Sequence, residues 1–507
     1  MILLDNAVYV TNACHLLERA PGYRTIPLAI SCYTGGDFAT TSLINLAMIF
    51  LTLYLLFRAF DGSRHTSLIA GILFGLNAYV AFPFYYAAAH SYVYTILASV
   101  LSLYVINHCH KLSLKNFFSI ILCALFLKFV RSEGPLYFVI ALIAFAIHKY
   151  LSSQDLKDFW HKNKTHITAA GVIIALTLVF NFLFPLFLSP GERIAKNLQE
   201  NKYVYQFPKE TFNAVALWAT YDYLRAFLTP YYQNFFGDYN DWYVIHKNKS
   251  YQILLYLFSL AIAIFSTVLI LKRRKNLLSY LVIALSIFII PSFLISSFLR
   301  NQWFYPSRGL LGCYLALPFL VMAYQSLSKH KLRSFIIGAL FLINISTFLI
   351  HHLSHYKNEQ TMFHYEHKFL GLEHPTVSKL YAMQFFKQKD FKRSTLILRD
   401  AQRALPDEGI FLSANHFYLW AENHYWSAAS SYFYGSPITE EKILKSLYQH
   451  PNFFAALACL QDQRIELDNC LRPELLRHLC NPAYVKRFGY KYYKKTRIKG
   501  EMACAKR

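Results

Sequence analysis

The sequence stretch that decides the fold is residues 252–299, which read QILLYLFSLAIAIFSTVLIL, then KRRKN, then LLSYLVIALSIFIIPSFLISSFL. The stretch contains an apolar run of 20 residues, a short basic turn and a second apolar run of 23 residues. A helix that crosses the hydrocarbon core of a bilayer needs about 20 apolar residues. The stretch therefore predicts two transmembrane helices joined by a basic turn.

Comparable apolar runs recur through the first 350 of the 507 residues. The chain is 55% hydrophobic and 16% charged, whereas soluble proteins are about 25% charged. We therefore predict an α-helical polytopic membrane protein with about ten to eleven spans. The semi-polar residues 207–232 are interpreted as an interfacial helix on the outer side, with an eleventh span as the alternative. The ten clear spans are 41–60, 66–84, 91–107, 114–130, 135–150, 166–188, 252–271, 277–299, 309–326 and 335–352.

The charge distribution predicts which ends of these spans face the cytoplasm. The net charge is +23, and basic residues concentrate in alternate connections. One set of connections, here called the basic loops, carries fourteen Lys and Arg residues, whereas the opposite short loops carry three. Because basic loops stay in the cytoplasm, this bias places the opposite loops outside. The basic loops are 61–65, 108–115, 149–165, 272–276 and 327–334, and the opposite loops are 85–90, 131–134 and 300–308.

This topology divides the chain into two predicted parts. Residues 1–352 form the membrane domain, in which 1–40 and 189–251 are long external loops. Residues 353–507 form a small external domain of mixed α/β structure, with helices over 374–387 and 438–449 and strands over 395–398 and 409–412. Since residues 1–40 lack the pattern of a signal peptide, we expect a further span upstream of Met1.

Several ligand classes have no support in the sequence. It has no zinc-finger, RNP or helix-turn-helix pattern, so membrane charge explains the basic composition and no nucleic-acid partner is predicted. It has no C-x-x-C motif or His/Cys cluster, so no metal site or cofactor is predicted. Cys109, Cys123 and Cys313 lie in or beside spans and are interpreted as small apolar residues.

Charged residues at the outer ends of the spans are the candidate site, because charges near the hydrocarbon region are expensive. Arginine binds phosphate through two parallel hydrogen bonds, and a carboxylate can accept a hydroxyl proton. The alternatives without a ligand are an intrahelical pair between Asp222 and Arg225 and contacts of Arg308 with lipid headgroups. The candidates from this argument are Arg24, His90, Arg131, Glu133, Asp222, Arg225, Arg300, Tyr305 and Arg308.

Three stretches resemble the GT-C-type membrane glycosyltransferases. They are DNAVYVTN at 5–12 with YRTIP at 23–27, YLRAFLTP at 223–230, and WFYPSRG at 303–309. The resemblance is closest to the transmembrane O-mannosyltransferases with tetratricopeptide repeats and their bacterial relatives. It implies that Asp5 is the catalytic base. Asn6 stands where that family has a second Asp.

The resemblance implies transfer of a sugar from a polyprenyl-phosphate donor to a hydroxyl of a protein or glycan, on the outer face of a bacterial inner membrane. The C-terminal domain would then lie in the periplasm, and the partners would be the lipid-linked donor, the acceptor and membrane lipids. We expect Arg308, Arg24, Arg131 and Arg225 to bind the donor phosphate. The alternatives are a polysaccharide polymerase or ligase that uses lipid pyrophosphate, a lipid or sugar transporter, and a non-catalytic membrane scaffold.

Overall fold

A computed structural model describes about three fifths of the chain, and every regular element within that part is helical. The described residues are 29–30, 32–34, 38–85, 90–109, 113–131, 134–183, 209–229, 249–298, 306–327, 330–350, 355, 359–370, 378, 381–385 and 388–404.

Fourteen α-helices have both ends defined within these residues. In chain order they are α1 (Phe38–Ala59), α2 (Arg64–Gly75), α3 (Phe82–Tyr85), α4 (His90–Asn107), α5 (Leu114–Val130), α6 (Gly134–Ser152), α7 (Leu156–Leu183), α8 (Lys209–Leu228), α9 (Lys249–Leu271), α10 (Leu277–Phe298), α11 (Leu310–Gln325), α12 (His330–Ile350), α13 (Glu359–Leu370) and α14 (Phe391–Ala404). A 3-10 turn, Pro306–Gly309, leads into α11.

Six of these helices are long and apolar enough to cross a membrane: α1, α6, α7, α9, α10 and α12. The helices α4 and α11 are apolar but shorter. The protein is therefore an α-helical, multi-pass integral membrane protein. The helical hairpin predicted from residues 252–299 is confirmed, because α9 and α10 cover it to within three residues at each end.

The continuous span predicted over residues 66–84 is wrong. Helix α2 ends at Gly75, and the chain leaves the helical conformation before α3 begins at Phe82. The intervening segment is nevertheless buried, with Ala78, Tyr79, Val80 and Ala81 fully or almost fully enclosed. Hydropathy alone could not locate this interruption, since apolar composition is compatible with both conformations.

Close packing joins α10 to α11. A Cβ atom at Gly312 would collide with the carbonyl oxygen of Phe288 and with Oγ of Ser292, both on α10. Side chains on α11 from Leu310 to Phe319 are buried. The glycine therefore allows the backbones of the two helices to approach closely, as small residues do between membrane helices.

Four of the five basic loops lie at one end of the helical bundle. Asp61, between α1 and α2, accepts hydrogen bonds from Asn107 at the end of α4 and from His148 and Lys149 near the end of α6. Arg273, between α9 and α10, donates to the backbone carbonyl of Gln154, between α6 and α7. These contacts show that loops of the predicted cytoplasmic set share one face.

The chain divides into two units: apart from Lys209, which belongs to the second unit, the division along the described residues falls between Thr361 and Met362. In the second unit, the strand predicted over 395–398 is wrong, because these residues lie within α14. Ser394 and Leu398 are buried while Leu396 is exposed, which is the spacing of one helical face. The predicted elements at 409–412 and 438–449 lie outside the described residues.

Candidate active site

Arg308 is the most deeply buried of the predicted site residues whose side chains the structure describes. It lies in the 3-10 turn Pro306–Gly309, directly before α11, and its exposed fraction is 0%. A guanidinium group that is removed from solvent loses its hydration, and buried arginines are therefore held by polar or anionic surroundings. The alternative that Arg308 contacts lipid headgroups is wrong, because the side chain is enclosed by protein.

Two tyrosines pack against the residue that follows Arg308. A Cβ atom at Gly309 would lie 2.7 Å from Cδ2 of Tyr223 and would also collide with the hydroxyl of Tyr79. These two side chains fill the space that a side chain at position 309 would occupy. The glycine therefore allows Tyr79 and Tyr223 to meet beside Arg308.

Charges of both signs act on the pKa of Tyr223. Its side chain is buried, and this burial raises the pKa of its phenol well above the ordinary value. The positive charge of Arg308 opposes that rise in pKa, whereas the negative charge of Asp222 adds to it. The hydroxyl of Ser296 also opposes the rise in the pKa of Tyr223. Tyr223 therefore stays neutral between an arginine and an aspartate.

Arg131 is a second buried guanidinium group. It leaves the end of α5 in an extended conformation, its Nη1 donates to Oγ of Ser91 over 3.1 Å, and its Cζ lies 4.2 Å from the ring centre of Tyr92. Gly134 packs closely against the end of α5, because a Cβ atom there would collide with the carbonyl of Leu127. Ser91 and Tyr92 begin α4, so contacts between α4 and α5 fix the guanidinium.

Four tyrosines lie near the two arginines, and we call Tyr79, Tyr92, Tyr137 and Tyr223 the tyrosine cluster. The rings of Tyr92 and Tyr137 are 6.5 Å apart. Tyr79 and Tyr223 both pack against Gly309, the residue after Arg308. Arg131 therefore lies beside the Tyr92 side of the cluster and Arg308 beside the Tyr223 side.

This cluster lies at the end of the bundle opposite the basic loops. Arg131 follows the last residue of α5, and α5 begins beside the basic loop 108–115. Arg308 precedes the first residue of α11, whose other end meets the basic loop 327–334. Both buried guanidinium groups therefore lie at the ends of helices that point away from the basic face.

The structure supports the interpretation of Arg225 as the partner of Asp222 in an intrahelical ion pair. Its Nη2 is 2.6 Å from Oδ1 of Asp222, and the side chain of Arg225 is 46% exposed. This is an intrahelical pair at a spacing of three residues. Arg225 is therefore engaged with a carboxylate, and it is a weaker phosphate candidate than either buried arginine.

The remaining predicted residues cannot be added to this geometry. His90 begins α4, but nothing is described of its side chain. The other six predicted site residues, Asp5, Asn6, Arg24, Glu133, Arg300 and Tyr305, lie outside the described part of the chain.

The sequence interpretation missed Tyr79, Asn77 and Asn344. The two asparagines are buried polar residues within apolar stretches and are hydrogen-bonded to each other, with Nδ2 of Asn77 3.1 Å from Oδ1 of Asn344. A signal was present, because polar side chains inside predicted spans mark sites by default. Because both asparagines are neutral, a search for charged residues does not find them.

The geometry defines a multi-pass helical membrane protein with buried arginines in a tyrosine-rich cluster. Among the described residues, no group of three or more His, Cys, Asp or Glu side chains could hold a metal ion. No protein-family model, no curated protein and no solved structure matches the chain.

Proposed function

We propose that this protein is a membrane glycosyltransferase that uses a polyprenyl-phosphate-linked sugar. The observation that carries the proposal is the pair of buried guanidinium groups, Arg308 and Arg131, on either side of the tyrosine cluster. Guanidinium groups suit phosphate because their planar fork donates two parallel hydrogen bonds. Phenol rings suit sugars, since they combine an apolar face with a hydroxyl group.

The proposed reaction is displacement at the anomeric carbon. An acceptor hydroxyl attacks that carbon, the bond from carbon to phosphate oxygen breaks, and polyprenyl phosphate leaves with the bonding electrons. The acceptor proton passes to a carboxylate, which the family resemblance assigns to Asp5. Arg308 and Arg131 stabilise the negative charge on the departing phosphate.

We also propose the number of spans and the side of the membrane on which the tyrosine cluster lies. About ten to eleven spans in a GT-C-like arrangement would place the tyrosine cluster on the extracytoplasmic side, because the basic loops occupy the other end. The chain after residue 352 would then form a periplasmic α/β domain of a bacterial inner-membrane protein. The strands of that domain would come from residues beyond 404.

One observation favours a transporter of lipid-linked sugar as a second candidate. The interruption between α2 and α3 is buried, and interrupted helices often form the binding sites of transporters. A transporter would move the sugar-lipid unchanged, whereas the enzyme would release polyprenyl phosphate. Release of free polyprenyl phosphate therefore separates the two candidates.

The proposed donor site is tested by binding of polyprenyl phosphate, the part common to all donors of this class. We expect Arg308→Lys to weaken binding by about tenfold, because the ammonium group keeps the charge but loses the paired hydrogen bonds; a hydrogen bond to a charged group contributes about 1.5–3 kcal/mol. Arg131→Lys should weaken binding in the same direction. The measurement is a titration of protein in nanodiscs with a short-chain polyprenyl phosphate.

The matched control is Arg225→Lys, since Arg225 is exposed and already paired with Asp222. We expect its affinity to equal that of the parent protein. Equal affinity of the Arg308→Lys and Arg131→Lys variants and the parent would overturn the proposal. A parent protein that prefers polyprenyl pyrophosphate over the monophosphate would favour the polymerase or ligase alternative.

A further inference from the structure

Two buried asparagines hold together the elements that surround Arg308. Asn77 follows the end of α2, and Asn344 lies in the middle of α12, yet their side chains are 4% and 3% exposed. Nδ2 of Asn77 donates to Oδ1 of Asn344 over 3.1 Å. Nδ2 of Asn344 in turn donates to the carbonyl of Leu73 over 2.9 Å, near the end of α2. The two amides therefore join α12 to the point where α2 ends.

Asn77 also satisfies the backbone of the interruption between α2 and α3. Its Oδ1 accepts from the amide of Tyr79 over 3.0 Å and from the amide of Val80 over 3.3 Å. Buried backbone groups that leave a helix within an apolar environment require such partners. Asn77 thus fixes the non-helical conformation that carries Tyr79.

The same side chain reaches the helix that carries the second tyrosine beside Gly309. Nδ2 of Asn77 lies 3.4 Å from the carbonyl of Phe227, one turn after Tyr223 on α8. Asn77 therefore contacts both elements that meet at Gly309: the interruption with Tyr79 and the helix with Tyr223. Its donor atom holds α8 and its acceptor atom holds the interruption.

The location of Asn344 is unusual for its helix. The three residues of α12 just before Asn344, which are Phe341, Leu342 and Ile343, are exposed on the surface. Asn344 instead turns its amide inward. Burial of an amide is costly unless its hydrogen bonds are made, and here both its oxygen and its nitrogen are used.

We infer that Asn77 and Asn344 are positioning residues that set the spacing between Tyr79 and Tyr223 around Arg308. This inference rests on the proposed donor site and names the part of the fold that shapes it. Loss of the amide pair frees the interruption from α12, so Tyr79 and Tyr223 no longer meet Gly309 in one arrangement. The guanidinium of Arg308 then loses the fixed surroundings that hold it toward a phosphate.

The test measures affinity for short-chain polyprenyl phosphate in nanodiscs, together with the thermal unfolding midpoint. Asn344→Leu removes both hydrogen bonds of Asn344 and should weaken binding about three- to thirtyfold, the range of coupling through a packed network. Asn77→Asp keeps the acceptor oxygens for Tyr79 and Val80 but loses the donor, and should weaken binding in the same direction.

A buried asparagine elsewhere provides the matched control. Nδ2 of Asn45 donates to the carbonyl of Thr41 over 2.7 Å, within α1, so this amide joins no two elements through that bond. Asn45→Leu should leave affinity unchanged. A double-mutant cycle should show that Asn344→Leu and Arg308→Lys are not additive, since both act on the same site.

The possible failures are distinguishable. If Arg308→Lys weakens binding but Asn344→Leu and Asn77→Asp do not, the positioning role is overturned and the donor site stands. If Arg308→Lys also leaves affinity unchanged, the proposed function itself fails. If Asn45→Leu weakens binding as much as Asn344→Leu, the effect is general destabilisation and the inference is overturned. Should Asn344→Leu not fold, Asn344→Asp replaces it, because it keeps the acceptor for Asn77 and loses only the donor to Leu73.

Discussion

Arg308 and Asp61 carry charges at opposite ends of the helical bundle. Arg308 is fully enclosed by protein, whereas the side chain of Asp61 is half exposed and lies among donors from two helices. The enclosed guanidinium suits the binding of an anion, because charge interactions are strong where water is excluded. The exposed carboxylate instead joins α4 and α6 to the turn between α1 and α2. The two charges, opposite in sign and different in burial, therefore have different consequences at the two ends.

The carboxylate of Asp61 contributes stability that depends on pH. Partial burial by itself raises its pKa, but hydrogen bonds from His148, Lys149 and Asn107 more than offset this effect and hold the pKa well below its ordinary value. A carboxyl group whose pKa is lowered by folding stabilises the fold above its unfolded pKa of about 3.9, and this contribution is lost as the pH falls through the folded pKa.

We predict that Asp61→Asn destabilises the protein at pH 7 by about 1–2 kcal/mol, because it loses charge-assisted hydrogen bonds at a half-exposed site. Asparagine also tolerates the positive φ of 61° at this position, so the backbone is retained. The difference from the parent should shrink below about pH 4. The measurement is chemical unfolding in detergent at both pH values. Asp158→Asn, at an exposed pair with Lys162, is the control and should have the smaller effect; an equal effect would contradict the role of Asp61.

Glycines and asparagines determine features of the helices that apolar composition does not predict. Composition alone was sufficient to predict α9 and α10, because their length and hydropathy leave no other structure in a membrane. The break after Gly75 depends on Asn77 and on Asn344, which is 267 residues away in sequence. The burial of Arg308 depends on how Gly309 and Gly312 pack against distant elements. Local sequence patterns carry no information on such long-range contacts.

The close contact between α10 and α11 leads to a prediction at Gly312. Gly312→Ala should destabilise the protein by about 1–3 kcal/mol, because the new methyl group collides with backbone that cannot move freely. Gly338→Ala on α12 is the matched control, since no atom lies within 4 Å of its Cβ position. That substitution should leave stability unchanged or raise it through helix propensity. Thermal unfolding in one detergent compares the two variants, and a Gly312→Ala variant as stable as Gly338→Ala would refute the packing argument.

In the helical bundle as a whole, the basic loops lie at one end and the buried arginines lie at the other. Asp61 and Arg273 connect four of the basic loops directly. Cys32, which precedes α1, is disulfide-bonded, and disulfides form in oxidising compartments outside the cytoplasm. This agrees with an external location for the N-terminal side of α1. Both features are consistent with the orientation that the charge bias predicts.

That orientation underlies the entire account, and reporter fusions measure it most directly. We predict that green fluorescent protein fused after Asn276 or Ser326 fluoresces, whereas a fusion after Arg507 stays dark. The reason is that the fluorophore forms in the cytoplasm but not when the reporter is exported unfolded across the membrane. Alkaline phosphatase fused at the same three positions should give the reverse pattern, with activity only after Arg507. A fluorescent fusion after Arg507, together with phosphatase activity after Asn276, would place the buried arginines at the cytoplasmic end and contradict the account.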